Sequence, residues 1–485
     1  MPLRLATLPL RLLPLLGIGA VLALGGGLWD DAWHTERGRD SFFIAPHLAV
    51  YGGVTIVGSG IGLWLLFEAR RTGWHRALQT PQIALAAVSV VVTLASAPVD
   101  NFWHSAFGRD AVIWSPPHVL GIVGTGSLVI AILVDLTASP TAWSRRMRGP
   151  LSGLLLAAFA FLVVEYETDV PQFSARWYLP VLALAAGFVF AIVATLRTAR
   201  WPATVAAAWQ LCFIAVISAL LRADSFGAPR LPLLIVPALV FDVARRRGTS
   251  LWLNSALCSA VLFAVYGPAA HIGHGAQLDG SDVLVGLPLG WLGFALPQLL
   301  LRDRPRRAPH RAAMVTSVVA GLLVLPAGAL AHDPGQGPSA GSMSLSVRVH
   351  AGRATVDAVP RPRAALAPVA IVARRGGSVH RGALRSSGDG RFTGAVALHG
   401  SGRWFVYVDL RRANGQLVES WLPVESPESA AVHAPARFAY VVDRKSSSAL
   451  KWLIGALLYA AVVAYLVAVV QLVKRSRRRE MSYTS

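Results

Sequence analysis

The chain is poor in the residues that usually identify a soluble protein. Of its 485 residues only Cys212 and Cys258 are cysteine, and both lie inside apolar runs. That excludes a disulfide-stapled secreted module and a thiolate metal cluster. Lysine is almost missing, with Lys445, Lys451 and Lys474 the only ones. Charged residues make up 14% of the chain, against roughly 25% in an ordinary soluble domain. This shortage excludes a cytosolic enzyme and a disordered scaffold. What the chain has instead is 54% hydrophobic residues and a mean hydropathy of +0.53. These residues gather in long uncharged runs, the mark of a polytopic membrane protein. The net charge of +20 is carried almost wholly by arginine. The arginines cluster in alternate loops, as the positive-inside rule expects, so the charge reports topology and no nucleic-acid surface.

The apolar runs predict about twelve spans, at 10–28, 46–68, 83–99, 117–138, 150–167, 178–197, 202–221, 231–244, 251–268, 283–301, 313–330 and 449–473. Arg70, Arg71, Arg76, Arg145, Arg146, Arg148, Arg245 to Arg247, Arg302 to Arg311 and the tail Lys474 to Arg479 then share one side. That side is read as cytoplasmic, with both termini on it and the chain as a multi-pass protein of the plasma membrane. From Met343 to Val442 the long apolar runs give way to short alternating segments, with the hairpin signal Asn414-Gly415. About seven strands are expected there, as an extracytoplasmic β-sandwich between the last two spans. The expected organisation is a duplicated membrane region over 1–140, further helices over 141–312, a span or signal-like segment over 313–331, the β-sandwich over 332–448, and a last span with a basic tail over 449–485. The segment before the sandwich runs basic, then apolar, then Ala329-Leu330-Ala331-His332. This is either a plain span or a secretory signal whose removal would leave His332 as a new N-terminus.

Two loops on the non-arginine side repeat one another. Residues 29–47 read WDDAWHTERGRDSFFIAPH and residues 99–118 read VDNFWHSAFGRDAVIWSPPH. Asp30, Trp33 and His34 align with Asp100, Trp103 and His104, Gly38-Arg39-Asp40 with Gly108-Arg109-Asp110, and Pro46-His47 with Pro117-His118. The copies start 70 residues apart with two spans between them, so the repeat is parallel. Asp30 and His34, four apart, share one helix face. A short return loop then brings His47 opposite them, and Asp100, His104 and His118 repeat the arrangement. Two histidines and one carboxylate with open positions suit a catalytic metal such as iron, copper or zinc. A plain interfacial loop is the competing reading. The Gly-Arg-Asp pairs are read as clasps of the turn.

Asp-x3-His-x12-His, followed about seventy residues later by a carboxylate-x3-His-x13-His, resembles the C subunit of copper membrane monooxygenases over roughly residues 10–140. That family oxidises methane, ammonia and short hydrocarbons. The resemblance implies one copper at Asp30, His34 and His47 and a second metal at Asp100, His104 and His118. The family carries asparagine where this chain has Asp100. His332 after its Ala-x-Ala sequence is similar to the exposed N-terminal histidine of the family's B subunit and of periplasmic copper carriers, which implies a third copper ligand there. His350, His380, His399 and His433 form no motif and are read as scattered surface histidines. His271 and His274, with Asp279 and Asp282, are either a facing cluster or a wet loop. Glu165, Glu167 and Asp169 are either cation-attracting or solvated. The expectation is a membrane metalloprotein that oxidises a small apolar substrate from the bilayer, with electrons from quinol or a partner subunit. The alternatives are a copper-handling protein and a structural subunit of an envelope complex.

Overall fold

The computed structural model describes residues 7–37, 43–107, 113–171, 173–271, 276, 278–302, 336–362, 365–375, 378–400, 402–442 and 449–484. Its helices are α1 (Leu13–Glu36), α2 (Ala45–Thr72), the short α3 (Trp74–Gln79), α4 (Pro81–Phe107), α5 (Pro116–Ala138), α6 (Ala142–Ala160), α7 (Val164–Glu167), α8 (Tyr178–Thr195), α9 (Pro202–Ala223), α10 (Ile235–Arg246), α11 (Leu251–His271), α12 (Gly280–Leu301) and α13 (Ala449–Thr484). Ten helical stretches among the described residues are long and apolar enough to cross a membrane, with α6 and α7 counted together. Two expected spans are not among them. The segment 313–330, with His332 beyond it, lies outside the described residues. The segment 231–244 is helical only over Ile235–Arg246, 12 residues, yet the chain still passes there from one end of the bundle to the other, from Arg230 N on the Glu167 carbonyl to Asp242 at the start of α9. At 1.5 Å per residue the helix is roughly 18 Å long, short of the ~30 Å hydrocarbon core. Residues 231–234, Pro232 among them, carry no regular structure before the helix starts. The short helix is held by Asp242, whose carboxylate accepts from Thr204 N at 2.9 Å and so caps the start of α9.

Large apolar side chains such as Ile18, Val91, Leu220 and Leu284 stay exposed on the outer faces of the bundle, where acyl chains rather than water would cover them. The two helical hairpins of the repeat are drawn together by small residues. A Cβ on Gly53 of α2 would lie 2.4 Å from the backbone nitrogen of Ala23 in α1. One on Gly124 of α5 would lie 2.6 Å from Thr93 Oγ1 in α4. Both glycines stand six residues after a proline-preceded histidine, His47 and His118.

The C-terminal domain has nine strands: β1 (Gln336–His350), β2 (Arg353–Arg361), β3 (Leu366–Arg375), β4 (Ser378–Gly382), β5 (Leu384–Gly388), β6 (Arg391–Ala397), β7 (Gly402–Arg412), β8 (Leu417–Ser426) and β9 (Ala430–Val442). They form one antiparallel sheet in the order β4-β3-β7-β8-β9-β1-β2-β6-β5. Where two stacked sheets of about seven strands were expected, the structure has a single sheet rolled nearly closed. The edge strands β4 and β5 are consecutive in the chain and joined by Ala383 alone, so the two edges meet at that point. Gly382 and Gly394 permit the meeting: a Cβ on either would lie within 2.2 Å of a carbonyl oxygen across the seam. Asn414-Gly415 makes the expected turn between β7 and β8, with Gly415 at φ +84°.

The interior of the roll is filled by residues such as Leu345, Val356, Trp404, Val406 and Leu422. The outer face of β7 and β8 is buried too. Phe405, Tyr407, Trp421 and Tyr440 pack around Val170, which belongs to the loop after α7. The β domain therefore rests on the end of the bundle where α1 stops and α2 begins. Around this apolar contact Asp169 accepts from Arg403 N at 3.1 Å and meets the Arg375 guanidinium at 3.5 Å.

Candidate metal centre

Each repeat places its three polar side chains with one helical hairpin. Asp30 and His34 lie one turn apart at the end of α1, and His47 in the first turn of α2 behind Pro46. Proline suits the first turn, where its missing N–H has no partner to lose. The second copy uses the end of α4 and, behind Pro116 and Pro117, the first turn of α5. His34 Nε2 lies 3.4 Å and His47 Nε2 3.0 Å from Asp30 Oδ1. His104 Nε2 lies 3.1 Å from Asp100 Oδ2, and His118 Nε2 3.3 Å from Asp100 Oδ1. The facing imidazole centroids are 5.9 Å apart in the first copy and 6.2 Å in the second. In each triad one ligand atom per residue falls within 4.8 Å of the other two.

All six side chains are half-buried, and Asp30 Oδ1 and Asp100 Oδ1 are themselves shielded from solvent. A shielded carboxylate oxygen facing two Nε2 atoms is the donor set of a small cation site. Oxygen and imidazole nitrogen with no thiolate suit iron, copper or zinc.

The two centres are neighbours. Tyr51, one turn beyond His47 on α2, has its ring 5.8 Å from the His47 ring. It lies within electrostatic reach of both Asp30 and Asp100. The corresponding position after His118 is Ile122, so this contact is not duplicated.

The surroundings differ more than the ligands. Two residues past His34, the Glu36 carboxylate meets the Arg403 guanidinium of β7 at 3.4 Å, and the Glu36 carbonyl accepts from Arg437 of β9. Burial pulls the Arg437 guanidinium down to about 10, against the opposing charge of Glu36. Trp33 stacks on Phe226 with centroids 5.8 Å apart. At the second centre the aligned Trp103 packs instead on Phe107, 5.0 Å away, and against Gly455 of α13. Lys451 Nζ lies 5.6 Å from the Trp103 ring, and the Tyr459 hydroxyl donates to the Trp114 carbonyl.

The remaining sequence candidates divide. The loops 38–42 and 108–112, with their Gly-Arg-Asp clasps, lie outside the described residues, as do His274 and the side chain of His271. Asp279 and Asp282 form the capping box that starts α12. Glu165 accepts from Ile113 N at 2.8 Å, and Glu167 Oε1 from the Tyr178 hydroxyl at 2.5 Å. His433 and His350 bond to Ser346 and Ser429. The His380 and His399 rings lie 4.4 Å apart, tilted by 39°, an association not expected from sequence. Burial and the neighbouring His399 lower the His380 imidazole below its ordinary value. The glycines that close the hairpins were not singled out by the sequence reading, although His47-x5-Gly53 and His118-x5-Gly124 are visible in the aligned copies.

No protein-family model matches the chain, and no curated protein or solved structure does.

Proposed function

We propose that the protein is a membrane metalloprotein holding one metal ion in each Asp/His/His triad, and that the metal of the first triad is copper. The observation that carries this reading is the duplication itself. Two hairpins with different neighbours hold the same three donor types in the same arrangement. Packing alone gives no reason for a carboxylate and two imidazoles to converge twice. Copper rather than iron or zinc rests on the resemblance to copper membrane monooxygenases in ligand spacing. Bound copper would supply oxygen-dependent oxidation chemistry, and the apolar bundle would admit a small apolar substrate from the bilayer. In this reading the triads and the β domain face away from the cytoplasm, and both termini lie on the cytoplasmic side, with the arginine clusters.

The test is metal analysis of the full-length protein purified from its membrane. Two metal equivalents per chain are expected, with one lost in His34→Ala and the other in His104→Ala. Full retention in both variants would overturn the reading. A second function, metal delivery rather than oxidation, is favoured by one observation: the β domain docks on Glu36, two residues past His34. Consumption of oxygen with a quinol and short hydrocarbons, against none, separates the two. A cysteine placed at the exposed Ser386 of β5 should be labelled from outside intact cells.

A further inference from the structure

The carboxyl groups buried in the bundle away from the triads are not all satisfied in the same way. Asp135 is fully buried, and donors meet both its oxygens: Thr7 N at 2.8 Å, Leu8 N at 2.9 Å and Gln82 Nε2 at 3.2 Å. Asp242, 2% exposed, accepts from Thr204 N and Oγ1, both at 2.9 Å, and from Ala203 N at 3.4 Å. Both oxygens of each of these groups thus meet an N–H donor. Glu167 lacks such a shell. Its Oε1 takes the Tyr178 hydroxyl at 2.5 Å, while its Oε2 is buried with no hydrogen-bond partner.

Glu167 lines a cavity of about 40 Å³ between α1, α6, α8, α9 and α11, walled by apolar side chains such as Leu28, Phe161 and Ile214. Gln210, 2% exposed, lines the same cavity, and its Oε1 is likewise buried without a partner. Leaving the two acceptors so costs about 1–3 kcal/mol each. A proton on Glu167 Oε2 turns one acceptor into a donor.

The charged and titratable neighbours allow this. Arg230 lines the cavity and favours the carboxylate; its guanidinium also lies 4.0 Å from Asp169, which Arg375 meets too. The backbone N–H of Arg230 goes to the Glu167 carbonyl at 3.0 Å. The Tyr266 hydroxyl accepts from Leu233 N at 2.9 Å. Tyr178 stacks on Tyr166 with centroids 4.9 Å apart.

We infer that Glu167, at the end of the bundle beneath the β domain, is a proton-binding site whose Oε2 carries a proton at neutral pH. The site is separate from the triads and stands whether or not they bind metal.

A hydrophobic carbodiimide, which attacks protonated carboxyls, tests the inference on the full-length protein in membranes at neutral pH. One N-acylurea adduct is expected on the Glu167 peptide and none on the peptides of Asp135 and Asp242. The adduct should vanish in Glu167→Gln. Because the reagent needs access as well as a proton, infrared spectra give a second readout. A carboxylic-acid carbonyl band that shifts in D2O should disappear in Glu167→Gln and move in Gln210→Leu. Either readout at Glu167 supports the site. The absence of both, or labelling of Asp135 and Asp242 as strong as that of Glu167, overturns it. An unchanged thermal unfolding midpoint of Glu167→Gln shows that the variant has folded.

Discussion

The two repeats hold the same donors but are enclosed by different parts of the chain. The first triad ends beneath the β domain, whose Arg403 and Arg437 grip Glu36. The second lies against α13, through Trp103, Gly455 and Tyr459. Ligand geometry is thus set within each hairpin, and what is added later in the chain decides how each centre is approached. In the proposed reading the centres share a chemistry of binding and differ in access.

The most severe way to break the comparison is at the ligands. His47→Ala should remove one metal equivalent from the first centre, and His118→Ala one from the second, each leaving the other centre loaded. Loss of both from either substitution would make the pair a single cooperative unit. Next in size is pH. Imidazoles bind metal only when neutral, and two protons compete at each centre. Affinity at both should therefore fall together as pH drops, by up to ~100-fold per pH unit. Metal titrations at several pH values check this. A centre that kept its metal at low pH would not rest on two histidines.

The hairpin glycines sharpen the comparison further. Gly53→Ala sets a methyl against the backbone of α1, which cannot rotate away. It should cost about 1–3 kcal/mol and weaken metal binding at the first centre only. Gly124→Ala meets a threonine hydroxyl first, which can turn aside, and should cost less. Thermal denaturation combined with metal titration ranks the two. The smallest effect is expected at the clasp. Arg403→Ala frees Glu36 without touching a ligand, and should lower affinity at the first centre by ~10-fold, the low end for groups outside a ligand set. The second centre should not respond.

The triads were legible in the sequence because their information is local. Asp30 and His34 share a face by helix geometry, and one short return places His47, so spacing alone brings the donors together. The β domain was legible as strands but not as a shape. β4 (SVHRG) and β5 (LRSSG) are five residues each and polar, too short and too weakly alternating to read. β7 is buried on both faces because its outer side packs on Val170. Such a strand reads like a buried one in any sheet, so nothing in it reveals a roll. The segment 231–244 was legible as an apolar run but not as a short helix: only Ile235–Arg246 is helical, and Asp242 caps the start of α9. The grip of Arg403 and Arg437 on Glu36 joins residues some four hundred positions apart and leaves no periodic trace.

That contrast in sequence distance also bears on the order of assembly. Each triad lies within a stretch of fewer than twenty residues, so during synthesis a centre can be completed when its own hairpin has entered the membrane. The arginines that close over the first centre are made near the end of the chain. Between those two moments the first triad stands complete and uncovered, and the second awaits only α13. The covering parts are therefore the last to arrive, and they act on ligand sets that were formed without them.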